Sequence, residues 1–314
     1  MELKDVNNLK VNVYATMAYF DVFDYPLKID ELERFLLWAS MDRRALWSFL
    51  NNDPGIQRNG DYYFFRGRRE IVEARKNKEK LARRLWRKVH GFVPMLKAVP
   101  YVKMVAVCNS LAINNTADGS DIDLFIVAKK GRLFSARTFT TLLFSLLAVR
   151  RHGKKVRGRF CLSFFAADDS LDMRTIRKDE DDIYLPYWIL TLRPVFGNEI
   201  YLKMMRENAW IGSYFPHRDF VTADNAALKP EVGVLAGVAR FKEKLLNGKA
   251  GDRLEKWLAA KHLERHQRRL STLGPDASVI VSEKMLKFHN RDRRKEISEK
   301  FAKRFKEVCA EAAE

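Results

Sequence analysis

Cys108-Asn109-Ser110-Leu111-Ala112, followed by Asp118-Gly119-Ser120-Asp121-Ile122-Asp123-Leu124-Phe125-Ile126-Val127, decides how this chain is read. The preceding run, Val102-Lys103-Met104-Val105-Ala106-Val107, has the composition of a buried strand, and Ile122 to Val127 has it again. Ser110 then falls where a strand turns into a helix. There a hydroxyl and free backbone N–H groups can hold a phosphate. Residues two apart on a strand share a face. Asp121 and Asp123 are therefore expected to project together while Ile122 enters the opposite layer. Two neighbouring carboxylates repel each other unless a cation lies between them. Hard oxygen donors on a rigid strand suit Mg²⁺, which usually binds one or two carboxylates plus substrate phosphates.

A strand, a turn into a helix, then a strand bearing D-x-D resembles the active-site plan of the polymerase β-like nucleotidyltransferase superfamily. The usual pattern there is Gly-Ser, a short helix, then Ser-Asp-x-Asp and an apolar run. Ser110, Ser120, Asp121 and Asp123 match it, closely over about residues 104–128 and more loosely to about 190. The resemblance implies a mixed α/β (α+β) core built on a nucleotidyltransferase sheet. It implies Mg²⁺-dependent transfer of a nucleoside monophosphate from an NTP to an acceptor hydroxyl, with Mn²⁺ as the alternative cation. Asp121 and Asp123 would be the catalytic metal ligands. Asn109, Ser110, Ser120 and Arg137 would line the nucleotide. Two departures stand out. Asn109 occupies the place of the family's glycine, and asparagine tolerates a left-handed backbone better than most residues. The family's third carboxylate is missing from the strand at 159–166, so Asp168 or Asp169, just beyond that strand, is the expected substitute, with Asp168 taken as the catalytic candidate. Without a third acid, the alternative reading is a catalytically inactive scaffold acting as a nucleic-acid-binding or regulatory module.

Upstream, residues 11–68 read as three short helices and a hairpin turning at Asn59-Gly60, the layout of a winged-helix-like domain (1–68). Its third helix offers Arg43, Arg44 and Trp47, a surface for nucleic acid or for a protein partner. Residues 69–100 read as a basic linker helix and 101–195 as the nucleotidyltransferase core that the resemblance implies. Residues 196–314 read as a mostly helical C-terminal domain, with helices near 201–214, 232–246, 253–270 and 294–313.

The 314 residues carry 58 Lys and Arg against 40 Asp and Glu, a net charge of +18. That surplus favours a polyanionic partner, nucleic acid, with RNA before DNA as the acceptor and a protein hydroxyl as the other candidate. The apolar stretch 133–149 contains Arg137 and several hydroxyl residues and falls short of a membrane span, so no membrane partner is expected. Three cysteines without C-x-x-C spacing fit a reducing cytoplasm. His262 and His266 lack the glutamate of a zinc-protease helix and read as part of a basic face. The chain has no P-loop, no G-x-G-x-x-G and no nucleophile elbow, which argues against P-loop ATPases, dinucleotide dehydrogenases and α/β-hydrolases.

Overall fold

The computed structural model describes residues 9–178, 182–217, 233–270, 278–289 and 292–311. The chain opens with α1 (Leu9–Asp21), a two-residue strand β1 (Leu27–Lys28), α2 (Ile29–Phe35) and α3 (Arg43–Asn52). A hairpin follows, β2 (Ile56–Asn59) and β3 (Tyr62–Phe65), turning at Gly60 with φ of 62°. Local chemistry fixes the starts of these helices. Asp42 accepts a hydrogen bond from the Arg44 N–H at 2.9 Å, and Glu31 accepts one from the Lys28 N–H at 2.9 Å. The three strands form an antiparallel sheet of order β1-β3-β2, in which β1 is an addition to the expected hairpin.

The basic run becomes α4 (Glu70–Phe92), and a 3-10 turn over Val93–Ala98 leads into β4 (Val102–Val107). Then come α5 (Asn109–Ala112), β5 (Ile122–Ala128), α6 (Leu133–Leu146), β6 (Phe160–Ala167), α7 (Tyr184–Thr191), β7 (Arg193–Phe196) and α8 (Asn198–Glu207). The C-terminal part holds α9 (Val234–Leu245), α10 (Lys249–Leu270), the hairpin β8 (Ser278–Val281) and β9 (Met285–His289), and α11 (Arg294–Glu311). The larger sheet has six strands in the order β7-β4-β5-β6-β9-β8. β5 and β6 are parallel, joined through α6, and the other neighbours are antiparallel. The fold is thus mixed α/β around a mixed sheet. Pro194 is accommodated in β7 because an edge strand can leave one side of its ladder unpaired.

The sheet separates two cores. On one face Phe125, Val127, Phe164 and Ala166 pack with α1, α7 and α11. Tyr19 of α1 stacks on Tyr187 of α7 with centroids 4.1 Å apart. On the other face Leu124, Ile126 and Phe165 pack with α4, α6 and α10. The boundaries expected at 68 and 195 do not separate independent cores. The N-terminal helices, α7 and α11 share one, and the mostly helical C-terminal region also adds β8 and β9 to the central sheet. Among the described residues no helix is long and apolar enough to cross a membrane.

Candidate functional site

Asp121 and Asp123 lie at the start of β5, on the sheet face that carries Phe125 and Val127. The turn before them is held by backbone bonds: the Cys108 N–H donates to the Asp123 carbonyl at 3.1 Å and the Asn115 N–H to the Ser110 carbonyl at 2.7 Å. Asn109 has φ of 58°, so the asparagine adopts the left-handed conformation required at the end of β4. Its side chain does more than fit. Asn109 Nδ2 donates to Asp123 Oδ2 at 2.9 Å, and Asn109 Oδ1 accepts from the Tyr184 hydroxyl at 3.3 Å.

β6 brings a third group to the pair. The parallel register sets Cys161 opposite Asp123, and the oxygens of Asp121 and Asp123 and the Cys161 Sγ all lie within 4.8 Å of one another. Arg151 reaches the same cluster, with Nη1 2.5 Å from Asp121 Oδ2 and 3.8 Å from Cys161 Sγ. Burial, then the neighbouring Asp121, pushes the Asp123 carboxyl up to about 6, against the pull of the Asn109 amide. Burial, then Asp123, pushes the Cys161 thiol up to about 12.

Asn109, Asp121, Asp123 and Arg151 border a cavity of about 700 Å³, within the range of small-ligand sites. Ser110 lines it beside Asn109. Tyr184 and Trp188 of α7 form an aromatic wall, and Lys287, Arg293 and Arg294 bring positive charge from β9 and the start of α11. Arg294 is already committed, 3.0 Å from Asp182 and 2.8 Å from Asp292, and donates to the Ile176 carbonyl at 2.7 Å. Lys287 lies 3.8 Å from Asp292 and bonds the Ser278 hydroxyl at 3.0 Å. Its burial, then Arg294, lowers the ammonium pKa to about 8. The sequence reading did not single out these C-terminal cations. The dense basic run from Lys284 to Lys295 was the available signal, but only the pairing of β9 with β6 reveals that it returns to the sheet one strand away from the D-x-D strand.

Three expected site residues sit elsewhere. Asp168 does not supply the third carboxylate. β6 runs parallel to β5, so residues after its last position emerge at the far end of the sheet. There the Asp168 N–H donates to the Ala128 carbonyl at 2.8 Å, and Asp168 Oδ1 accepts from the Lys130 N–H at 2.9 Å. Five residue steps along β5 separate Asp123 from Ala128, roughly 16 Å. Asp169 is at that same end, 2.9 Å from Lys130 Nζ. Arg137 lies on α6, across the sheet from Asp123. It donates to the Leu162 carbonyl at 3.3 Å, and its guanidinium lies 3.9 Å from the Phe288 ring centre, among residues of the second core. It therefore cannot face a nucleotide held over the pair. Ser120 lies outside the cavity lining; its backbone closes the preceding turn by bonding Ala117 and Gly158. His262 rests against Phe134 and Thr138, while the His266 side chain lies outside the described residues.

No protein-family model, curated protein or solved structure matches this chain.

Proposed function

We propose that this chain is a nucleotidyltransferase that binds a nucleoside triphosphate over Asp121 and Asp123 and transfers its nucleoside monophosphate to an acceptor hydroxyl, whose oxygen displaces pyrophosphate from the α-phosphorus. The observation that carries the reading is the pair itself: two adjacent carboxylates beside Ser110 on the wall of one cavity, with Lys287 and Arg293 across it. The donor set can be tested against the cation this chemistry needs. The two carboxylates are hard oxygen donors and fit Mg²⁺ or Mn²⁺, with phosphate oxygens completing the shell. Cys161 does not extend that set, because its sulfur is a soft donor and a hard cation prefers oxygen. A divalent cation held by the two aspartates supplies charge neutralisation at the reacting phosphate. The chain's own residues do the rest. Asn109 orients the Asp123 carboxylate and is itself held by Tyr184. Arg151 steadies Asp121 and brings guanidinium charge to the phosphates, as Lys287 and Arg293 do from the opposite wall.

A second reading has its own support. Cys161 occupies the register position opposite Asp123, and Asp168 is at the wrong end of the sheet. A scaffold with two acids and a thiol would bind nucleotide without turning it over and serve as a regulatory or nucleic-acid-binding module. The N-terminal helices and their three-stranded sheet support the winged-helix reading through their order, although Arg43 on α3 is paired with Asp30 at 2.5 Å and Glu33 at 2.8 Å. Incubation with each α-labelled NTP, Mg²⁺ or Mn²⁺, and RNA, DNA or the protein alone tests both readings. Transfer of label by the wild type and none by D121A/D123A is the expected result. Nucleotide binding that depends on the pair, with no transfer to any acceptor, would favour the second reading.

A further inference from the structure

Behind the turn that carries Asn109 and Ser110 lies a second cavity, of about 1100 Å³, between α4 and the edge strand β7. Its charge is one-sided. Lys80, Arg83, Arg84 and Arg87 project from one stretch of α4, and Arg193 of β7 faces them with its guanidinium 5.8 Å from the Trp86 ring centre. The two acids in the cleft are already engaged. Glu31 lies 2.7 Å from Arg75, and Glu79 lies 3.1 Å from Arg75 and 3.4 Å from Lys28. Lys80, Arg83, Arg84 and Arg87 have no ion-pair partner among the described residues, and all four are exposed. Spaced three and four apart, they form a positive track about 10 Å long on one helix. The two cavities share a wall one turn thick. Ile113 and Asn115 line the first, Asn114 lines the second, and the Trp86 indole N–H bonds Asn114 Oδ1 at 2.9 Å.

We infer that this cleft binds the sugar–phosphate backbone of a single-stranded nucleic acid. Unpaired cations in a concave track suit a flexible polyanion that can follow the groove. Bilayer and duplex phosphates lie on flat or convex surfaces, which match a concave groove less well than a single strand does. That the strand is the acceptor whose end meets the nucleotide rests on the nucleotidyltransferase reading. Binding in the cleft does not.

The test is fluorescence anisotropy with a short labelled single-stranded RNA over a salt series, with the same sequence as a duplex and phosphatidylserine vesicles as competitors. The wild type is expected to bind the single strand with an affinity that falls with salt, at about 0.7 log units per log unit of salt for each phosphate contact. R84E/R87E is expected to bind at least about tenfold more weakly, with a salt slope shallower by about 1.4. R84Q/R87Q should fall between, and the melting temperatures should match the wild type because these side chains are exposed and unpaired. D121A/D123A should keep RNA binding while losing nucleotide, so failure of one site is distinguishable from failure of the other. RNA binding unchanged in both arginine variants, or stronger competition by vesicles or duplex than by the single strand, would overturn the inference.

Discussion

Asp123 sits where its own charge is disfavoured, and this gives the site a pH signature. Its carboxyl has an ordinary value near 3.8 and is pushed up to about 6 in the fold. Between those values the folded chain retains a proton that the unfolded chain has released. Stability therefore falls as pH rises through the window and stays low above it. Two pH units correspond to at most about 3 kcal/mol. D123N removes the ionisation while keeping a partner for Asn109. It is expected to remove that fall, so that its stability relative to the wild type grows from about pH 4 to 6 and is greater at neutral pH. Denaturant melts across that range check this, and parallel profiles for the two proteins would contradict it. Cys161 gives a second expectation at the same scale. C161D places a third carboxylate opposite Asp123, so it should lower the melting temperature at neutral pH and make it rise when Mn²⁺ is added; a melting temperature insensitive to Mn²⁺ would count against the cation site. The aspartate pair was legible because the two-residue strand period forces both side chains to one face. Cys161 was not, because a sequence contains no inter-strand register, and a thiol carries no carboxylate to mark it as the third member of an acidic cluster.

At the scale of elements, α6 begins without a cap of its own, since Arg132 makes no side-chain capping bond. Glu255 of α10 supplies it from outside, accepting from the Phe134 N–H at 2.8 Å and the Ser135 N–H at 2.9 Å, and bonding the Ser135 hydroxyl. E255A is expected to cost about 1–2 kcal/mol in chemical denaturation, and E255Q less. Gly197 joins β7 to α8 with φ of 83°, and a Cβ there would lie 2.2 Å from the Lys103 carbonyl oxygen. G197A combines left-handed strain with a backbone clash and should lose about 3 kcal/mol or more. The long periodic helices and the apolar runs of β4, β5 and β6 could be read from sequence with boundaries shifted by a few residues. β7, β8 and β9 could not. Each has four or five residues, Pro194 reads as a breaker, and Ser282 and Lys284 interrupt the apolar pattern of the hairpin. Such strands are defined by the edge they pair with, and that edge lies more than a hundred residues away in sequence for β9 on β6.

For the whole molecule, the consequence is cooperativity. α1 packs against α7 and α11 in the core that also covers one sheet face, and Arg304 of α11 lies 2.7 Å from the buried carboxylate of Asp21. Removing either end of the chain exposes that core. Calorimetry is expected to show one transition in which the N-terminal module and the sheet melt together, and two well-separated transitions would contradict a shared core. The same arrangement explains how the first cavity is assembled. α1, β5, α7, β9 and α11 each contribute part of its wall, so the site exists only in the complete fold. The excess positive charge, legible from composition, gains a location: one share faces the D-x-D strand and another runs along α4.

Asp121 and Asp123 are proposed to hold a divalent ion jointly beneath a nucleoside triphosphate. Electron paramagnetic resonance of Mn²⁺ titrated into the protein, with a non-hydrolysable triphosphate present, measures this directly. The free-ion signal should fall saturably with the wild type, beyond what the nucleotide alone causes, and this added loss should vanish with D121A/D123A. Equal loss of signal with both proteins, or none with either, would contradict the account.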